Sequence, residues 1–212
     1  MDASFWFGKW ERNEIGFHQP APNPMLVNNF EALSLNKGDR VFIPLCGKTH
    51  DIGWLLSKGF RVAGVELSQV AIEQLFTSLS VTPEISKLDT LLHYSAPNID
   101  IFVGDVFALS GEILGPVDAI YDRAALVALP KEMRMQYTPL LTNITNTASQ
   151  LVVIYAYDQD VVPGPPFSIT TDELTQHYKT IYDLKLLSSE AAPNGMKGLC
   201  PATESVWLLT KK

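Results

Sequence analysis

From Arg40 onward the chain alternates short apolar runs with stretches whose apolar residues recur at helical spacing. RVFIPL (40–45), RVAGVEL (61–67), IDIFVGD (99–105), VDAIYDR (117–123) and LVVIYAYD (151–158) are brief and mostly apolar, which predicts buried strands. HDIGWLLSKG (50–59), SQVAIEQLFTSL (68–79), KEMRMQYTPLLTNI (131–144) and TTDELTQHYKT (170–180) carry the helical period. Gly59 suits a helix C-terminus, Ser68 an N-cap, and Asp172 and Glu173 a first turn, where the helix dipole favours acids. Pro139 predicts a kink in the third of these helices. IYDLKLLS (181–188) and ESVWLLTKK (204–212) read as a closing pair of strands.

Strands alternating with helices imply an α/β fold: a mostly parallel central sheet, helices on both faces and an antiparallel C-terminal edge strand. Residues 1–36 break the pattern. FWFGKW (5–10) is aromatic-rich, GFHQPAPNP (16–24) reads as a loop, and MLVNNFEALSL from Met25 has helical spacing. This segment is expected to form a helical lid laid over a sheet core of residues 37–212, the two together making one domain.

Composition narrows the function. Of 212 residues 46% are hydrophobic, enough for a large core and too many for a disordered chain. The formal charge of −7 argues against a nucleic-acid surface and favours a small-molecule partner. Cys46 and Cys200 form no CxxC pair, and His50, His93 and His177 show no ligand spacing, so no metal is expected. The start lacks the basic and apolar regions of a signal peptide, and no run approaches about 18 apolar residues. A cytoplasmic protein outside the membrane, acting as a monomer, is the expectation.

PLCGKTHD (44–51) ends as a phosphate-binding loop ends, but the glycine such a loop needs five residues earlier is Phe42, inside a strand. Nor is there the G-x-G-x-x-G of a dinucleotide site. One glycine, Gly47, remains at the first strand–helix turn, where a ligand can approach the backbone, and Lys48 and Thr49 then open the next helix. About twenty residues on, the second strand ends in Glu66, which either accepts hydrogen bonds from two ribose hydroxyls or caps the following helix. The third strand ends in Asp105, either an acceptor for an adenine amino group, with Val106 and Phe107 against the ring, or part of a plain turn. Gly47, Glu66 and Asp105 make a nucleoside site without provision for a diphosphate. S-adenosyl-L-methionine fits that description.

FIPLCGKTHDIGWLLSKGFRVAGVELS resembles the cofactor-binding stretch of the thiopurine S-methyltransferases. FWFGKW followed by GFHQ, then YDRAALVALP and GPPFSI, resemble that family in the same order, from about residue 2 to about residue 180. PLCGK together with DRAALVA carries the specificity, and the short N-terminus is similar to the bacterial members. The resemblance implies a Rossmann-like methyltransferase domain that uses S-adenosyl-L-methionine and releases S-adenosyl-L-homocysteine. It implies that Trp10 packs on the methionine part of the cofactor, Leu45 lends backbone contacts, Glu66 holds the ribose, and Asp105 and Val106 meet the adenine. It places Arg123 near cofactor and acceptor, and Phe17 and His18 in an acceptor-side lid. Taken alone, Trp10 also suits a core position, His18 a loop histidine, and Arg123 an ion pair with Asp122 or another carboxylate. The match fades after about residue 185, where an acceptor-facing arginine has no clear equivalent and Lys197 is the candidate.

The reaction expected is in-line attack by a thiol sulfur on the sulfonium methyl group. Aromatic thiols are acidic enough to need no dedicated base, and Arg123 would favour the thiolate. Selenium or tellurium species, sulfide and thiocyanate fit the same chemistry. A non-catalytic sensor of adenosyl ligands is the reading from another class.

Overall fold

The computed structural model describes residues 3–212, so Met1 and Asp2, on which the signal-peptide reading partly rests, lie outside it. In chain order come α1 (Ala3–Glu11), α2 (Pro24–Asn29), β1 (Arg40–Pro44), α3 (His50–Ser57), β2 (Arg61–Glu66) and α4 (Gln69–Leu79). Then follow β3 (Glu84–Leu88), β4 (Leu91–Ala96), β5 (Ile99–Val103), α5 (Gly111–Leu114), β6 (Ala119–Arg123) and α6 (Lys131–Ile144). The chain closes with β7 (Ser149–Tyr157), α7 (Thr171–Tyr178), β8 (Tyr182–Ala191) and β9 (Ala202–Lys211).

The strands form one sheet in the order β3-β4-β5-β2-β1-β6-β7-β9-β8. β5, β2, β1, β6 and β7 run parallel, and a hairpin flanks them on each side: β3–β4 pairs antiparallel with β5, and β8–β9 with β7. The order reverses direction between β1 and β6, the place where open α/β sheets bind ligands. Successive side chains of β1 point to opposite faces. Val41 and Ile43 join Leu26, Ile52, Leu55 and Ile72 from α2, α3 and α4. Phe42 joins Leu126, Tyr137, Leu141 and Leu174 on the other face, toward α6 and α7. That is why the parallel strands read as unbroken apolar runs.

Several local expectations change. The stretch from Met25 is not one helix: α2 passes into a 3-10 turn over Phe30–Leu33, which stops at Ser34 in the left-handed region. Lys48 and Thr49 do not open α3; Thr49 caps it, its hydroxyl accepting the Asp51 N–H. α6 runs unbroken through Pro139, and the carbonyl that Pro139 cannot bond is that of Met135, on an exposed side chain. The β3–β4 hairpin escapes a reading by pattern. β3 is almost wholly exposed, and the buried residues of β4, Leu91 and Tyr94, lie three apart rather than two. Among the described residues no helix is long and apolar enough to cross a membrane.

Asp122 on β6 is fully buried beneath the ligand end of the sheet. Its carboxyl accepts the Leu126 N–H at 3.0 Å and the Tyr137 hydroxyl at 2.7 Å. Burial outweighs these donors and raises its pKa to about 6. A folded-state pKa above the unfolded value gives stability that is complete below pH 3.8 and lost as pH rises through about 6. The predicted loss is about 3 kcal/mol. Asp122→Asn should abolish this component, seen as a smaller fall in urea-unfolding free energy between pH 4 and pH 7 than wild type shows.

Candidate active site

The turn after β1 is built on two left-handed residues, Leu45 with φ 48° and Gly47 with φ 52°. The Gly47 N–H donates to Glu66 Oε2 at 2.8 Å, and the Ser68 N–H donates to Glu66 Oε1 at 2.9 Å. One buried carboxyl thus joins the ends of the first two strands and the start of α4. Its pKa is raised by burial, against the pull of the Ser68, Gly47 and Leu67 N–H groups. Of the two uses foreseen for Glu66, the structural one is seen in the Gly47 and Ser68 bonds. It braces the helix start, and each oxygen keeps a lone pair for a ligand in the cavity it lines. Ser68 is the N-cap of α4, as expected.

α1 roofs this turn. A Cβ on Gly47 would lie 3.1 Å from Trp10 Cζ2 and 3.3 Å from Cη2. Trp10 is buried there, 6% exposed, with Lys48 Nζ 6.0 Å from its ring centre. Phe17 stands edge-on to both Trp6 and Trp10, at 5.9 and 5.5 Å between ring centres. His18 sits 5.3 Å from His50, and its pKa is lowered by burial first and then by Lys48, His50 and Arg123. Asp105 is exposed at the end of β5 and caps the short turn Val106–Ala108 through the Phe107 N–H, while Val106 is buried.

Arg123 ends β6. Its guanidinium donates to the Phe17 carbonyl at 3.3 Å and lies 3.8 Å from Asp51 Oδ2. Asp51, not Asp122, is therefore its carboxylate partner. Asp51 in turn accepts the Asn23 N–H at 2.6 Å. Arg123 Nε is buried without a hydrogen-bond partner among the described residues, and the buried Tyr121 hydroxyl and Asp51 Oδ2, though close to each other, make no bond of good geometry. Burial and the Asp51 charge push the Tyr121 phenol well up.

These groups line one cavity of about 950 Å³. It gathers Trp10, Phe17, His18, Leu45, Gly47, Glu66, Asp105, Val106 and Arg123, all nine residues singled out above, and Lys197 as well. Asp51, Tyr121, Tyr155 and Glu204 also line it and had no signal in sequence. Asp51 looked like an ordinary first-turn acid, and Tyr155 and Glu204 meet only because β7 pairs with β9. Of the remaining histidines, His93 bonds Asp100 and stacks on Phe102, and His177 bonds Thr138, all away from the cavity. Cys46 is buried below the turn, its thiol pKa raised by burial and by Glu66. Among the described residues no group of three or more His, Cys, Asp or Glu could hold a metal ion.

The fold is the Rossmann-like one of the methyltransferases, with the cavity at the ligand-binding edge of its sheet. Similar solved structures include a 1,6-didemethyltoxoflavin-N1-methyltransferase of Burkholderia thailandensis with bound S-adenosylhomocysteine, at TM-score 0.67 and 14% identity over 99% of this chain and 87% of that one. A methyltransferase of Thiobacillus denitrificans in complex with S-adenosyl-L-homocysteine matches at TM-score 0.64 and 14% identity over 97% and 98% of the chains. The chain belongs to the thiopurine S-methyltransferase family, whose model matches residues 1–212. Relatives named thiopurine S-methyltransferase from Xanthobacter autotrophicus and Teredinibacter turnerae are 50% and 49% identical, over 100% of this chain and 100% and 98% of theirs.

Gly47→Ala should strain a left-handed residue and push Trp10 off the turn, at a cost of about 1–2 kcal/mol. The expected result is a blue- or red-shifted tryptophan emission and affinity for S-adenosylhomocysteine weakened roughly tenfold by calorimetry.

Proposed function

We propose that the protein transfers a methyl group from S-adenosyl-L-methionine to the sulfur of aromatic or heterocyclic thiols, thiopurines among them. The observation that carries this is the joining, in one cavity, of the Gly47–Glu66 turn under Trp10 to the Arg123 wall. The residues fit the cofactor. Glu66 has lone pairs for ribose hydroxyls, and Asp105 and Val106, which line the same cavity, suit the adenine. Leu45 offers backbone, Trp10 an indole face for a sulfonium, and the incompletely bonded Arg123 and Asp51 suit the charged amino-acid end. When bound, S-adenosylmethionine supplies an electrophilic methyl group on a positive sulfur.

The chain's own contribution is positioning and exclusion of water. Trp6, Trp10 and Phe17 roof the site, and the Phe17 carbonyl bond to Arg123 fastens that roof to β6. With His18 the same segment serves as the acceptor-side lid. Arg123 faces Asp51 at 3.8 Å, and its part is to orient cofactor and acceptor. The cavity, about 950 Å³ with the cofactor region included, leaves room for a ring acceptor beside the cofactor. The reading includes a monomer acting in the cytoplasm on small molecules, without a metal, and the net charge of −7 supports partners other than nucleic acid.

Methyl transfer to 6-mercaptopurine, followed by product formation, tests the function; its absence at every acceptor concentration would overturn it. Glu66→Ala should weaken S-adenosylhomocysteine binding at least tenfold, since two braces and the ribose acceptor are lost together. Arg123→Ala should lower kcat/KM by on the order of 100-fold, and unchanged kinetics would remove Arg123 from the machinery.

A further inference from the structure

The half of the cavity away from Gly47 and Asp105 is walled by β6, β7, β9 and the loop that carries Lys197, and it holds an acid as well as basic groups. Arg123 is already faced by Asp51. Opposite lies a buried acid, Glu204 on β9, 9% exposed and lining the cavity. It forms no ion pair among the described residues. Its bond is with a neutral phenol: Tyr155 on β7, its direct cross-strand partner, donates to Oε1 at 2.7 Å. Burial and Glu204 raise the Tyr155 pKa, so the phenol stays a donor. The second oxygen, Oε2, is left for a ligand. A buried acid with one neutral donor calls for another donor, not a negative charge.

Heterocyclic thiols of the thiopurine kind are largely thiones in water, with C=S beside a ring N–H. We propose that Glu204, held in place by Tyr155, recognises the acceptor as this N–H donor and takes the ring proton as sulfur is methylated. The inference rests on the methyltransferase reading above and deepens it. The electrons balance. The ring N–H bond breaks and its proton goes to Glu204 Oε2. Its pair becomes the ring C=N, and the C=S π pair forms the new S–CH3 bond. The pair of the broken methyl–sulfonium bond stays on the departing thioether. The ring N–H grows more acidic as the sulfur gives up electrons, so a carboxylate is base enough. Glu204 returns its proton to water when product leaves. The neutral acceptor is then the competent form, in place of the free thiolate expected from sequence.

The titratable and charged groups around Glu204 are Tyr155 on β7, Tyr121 and Arg123 on β6, Asp51 beside Arg123, Glu190 across the strand on β8, and Lys197 in the loop before β9. Glu204→Gln keeps an acceptor for the Tyr155 hydroxyl and removes only the charge and basicity. Two measurements test the proposal. In the first, 6-mercaptopurine is bound to the protein with S-adenosylhomocysteine and titrated by its ultraviolet absorbance. Bound to wild type it should hold its ring proton to higher pH than the free compound, and in Glu204→Gln this upward displacement should vanish. In the second, turnover is compared for 6-mercaptopurine and for 4-nitrothiophenol, which has no ring N–H and is ionised at neutral pH. Glu204→Gln should lose on the order of 100-fold with the first, recovering as pH rises and the acceptor ionises by itself, and less than about threefold with the second. Equal losses on both acceptors, or identical titration of the bound compound in both proteins, would overturn the role of Glu204 alone. A wild-type protein that methylates neither acceptor would overturn the functional reading and this proposal together.

Discussion

The site depends on one buried carboxyl. Glu66 holds the Gly47 N–H on one oxygen and the Ser68 N–H on the other, and so fixes the spacing between the first two strand ends. Within the left-handed turn at Leu45 and Gly47 the Cys46 N–H also reaches the Val65 carbonyl at 3.0 Å, so Glu66 completes a tie that the backbone begins. The cost of burying an acid is met by hydrogen bonds from backbone N–H groups and not by a cation, which leaves its outward lone pairs uncommitted. A salt bridge at this position would have held the turn equally well and spoiled it as a ligand acceptor.

The roof follows from the same turn. Trp10 lies so close to Gly47 that a Cβ there would make it give way by a few tenths of an ångström, so the glycine serves the helix above as well as the left-handed turn. From there the aromatic contacts run through Phe17 to Arg123, and from Arg123 to Asp51 and the Asn23 N–H. The first helix, the following loop and the sheet are connected by this chain of contacts, with the cavity between them.

The sheet core was legible because its strands are buried on both sides and its helices on one, giving apolar runs and a clear helical period. RVFIPL, RVAGVEL and LVVIYAYD are strands close to where their pattern ends. The β3–β4 hairpin was not, because an exposed edge has no apolar face to advertise. In the site, residues at strand ends were legible: Glu66, Asp105 and Arg123 stand where a parallel sheet presents its ligand-binding edge. Asp51, Tyr155 and Glu204 were not. Nothing in a one-dimensional pattern says that a first-turn aspartate will meet an arginine on β6, or that a tyrosine on β7 will donate to a glutamate on β9. Their meaning arises only from pairing in space; the family match does not fade after residue 185 as the motifs suggested, but runs through Glu204 to residue 212.

Gly64, in the middle of β2, leaves room that a Cβ would deny: it would stand 2.9 Å from the Cys46 sulfur. The thiol sinks into that space, below the Glu66 carboxyl and against Ile101. There burial and the neighbouring acid keep it protonated, and a protonated thiol is a poor nucleophile. An enzyme that alkylates sulfur carries a sulfur of its own next to its electrophile. The missing side chain of Gly64 and the acid nearby hold that sulfur in the form least able to take the methyl group itself.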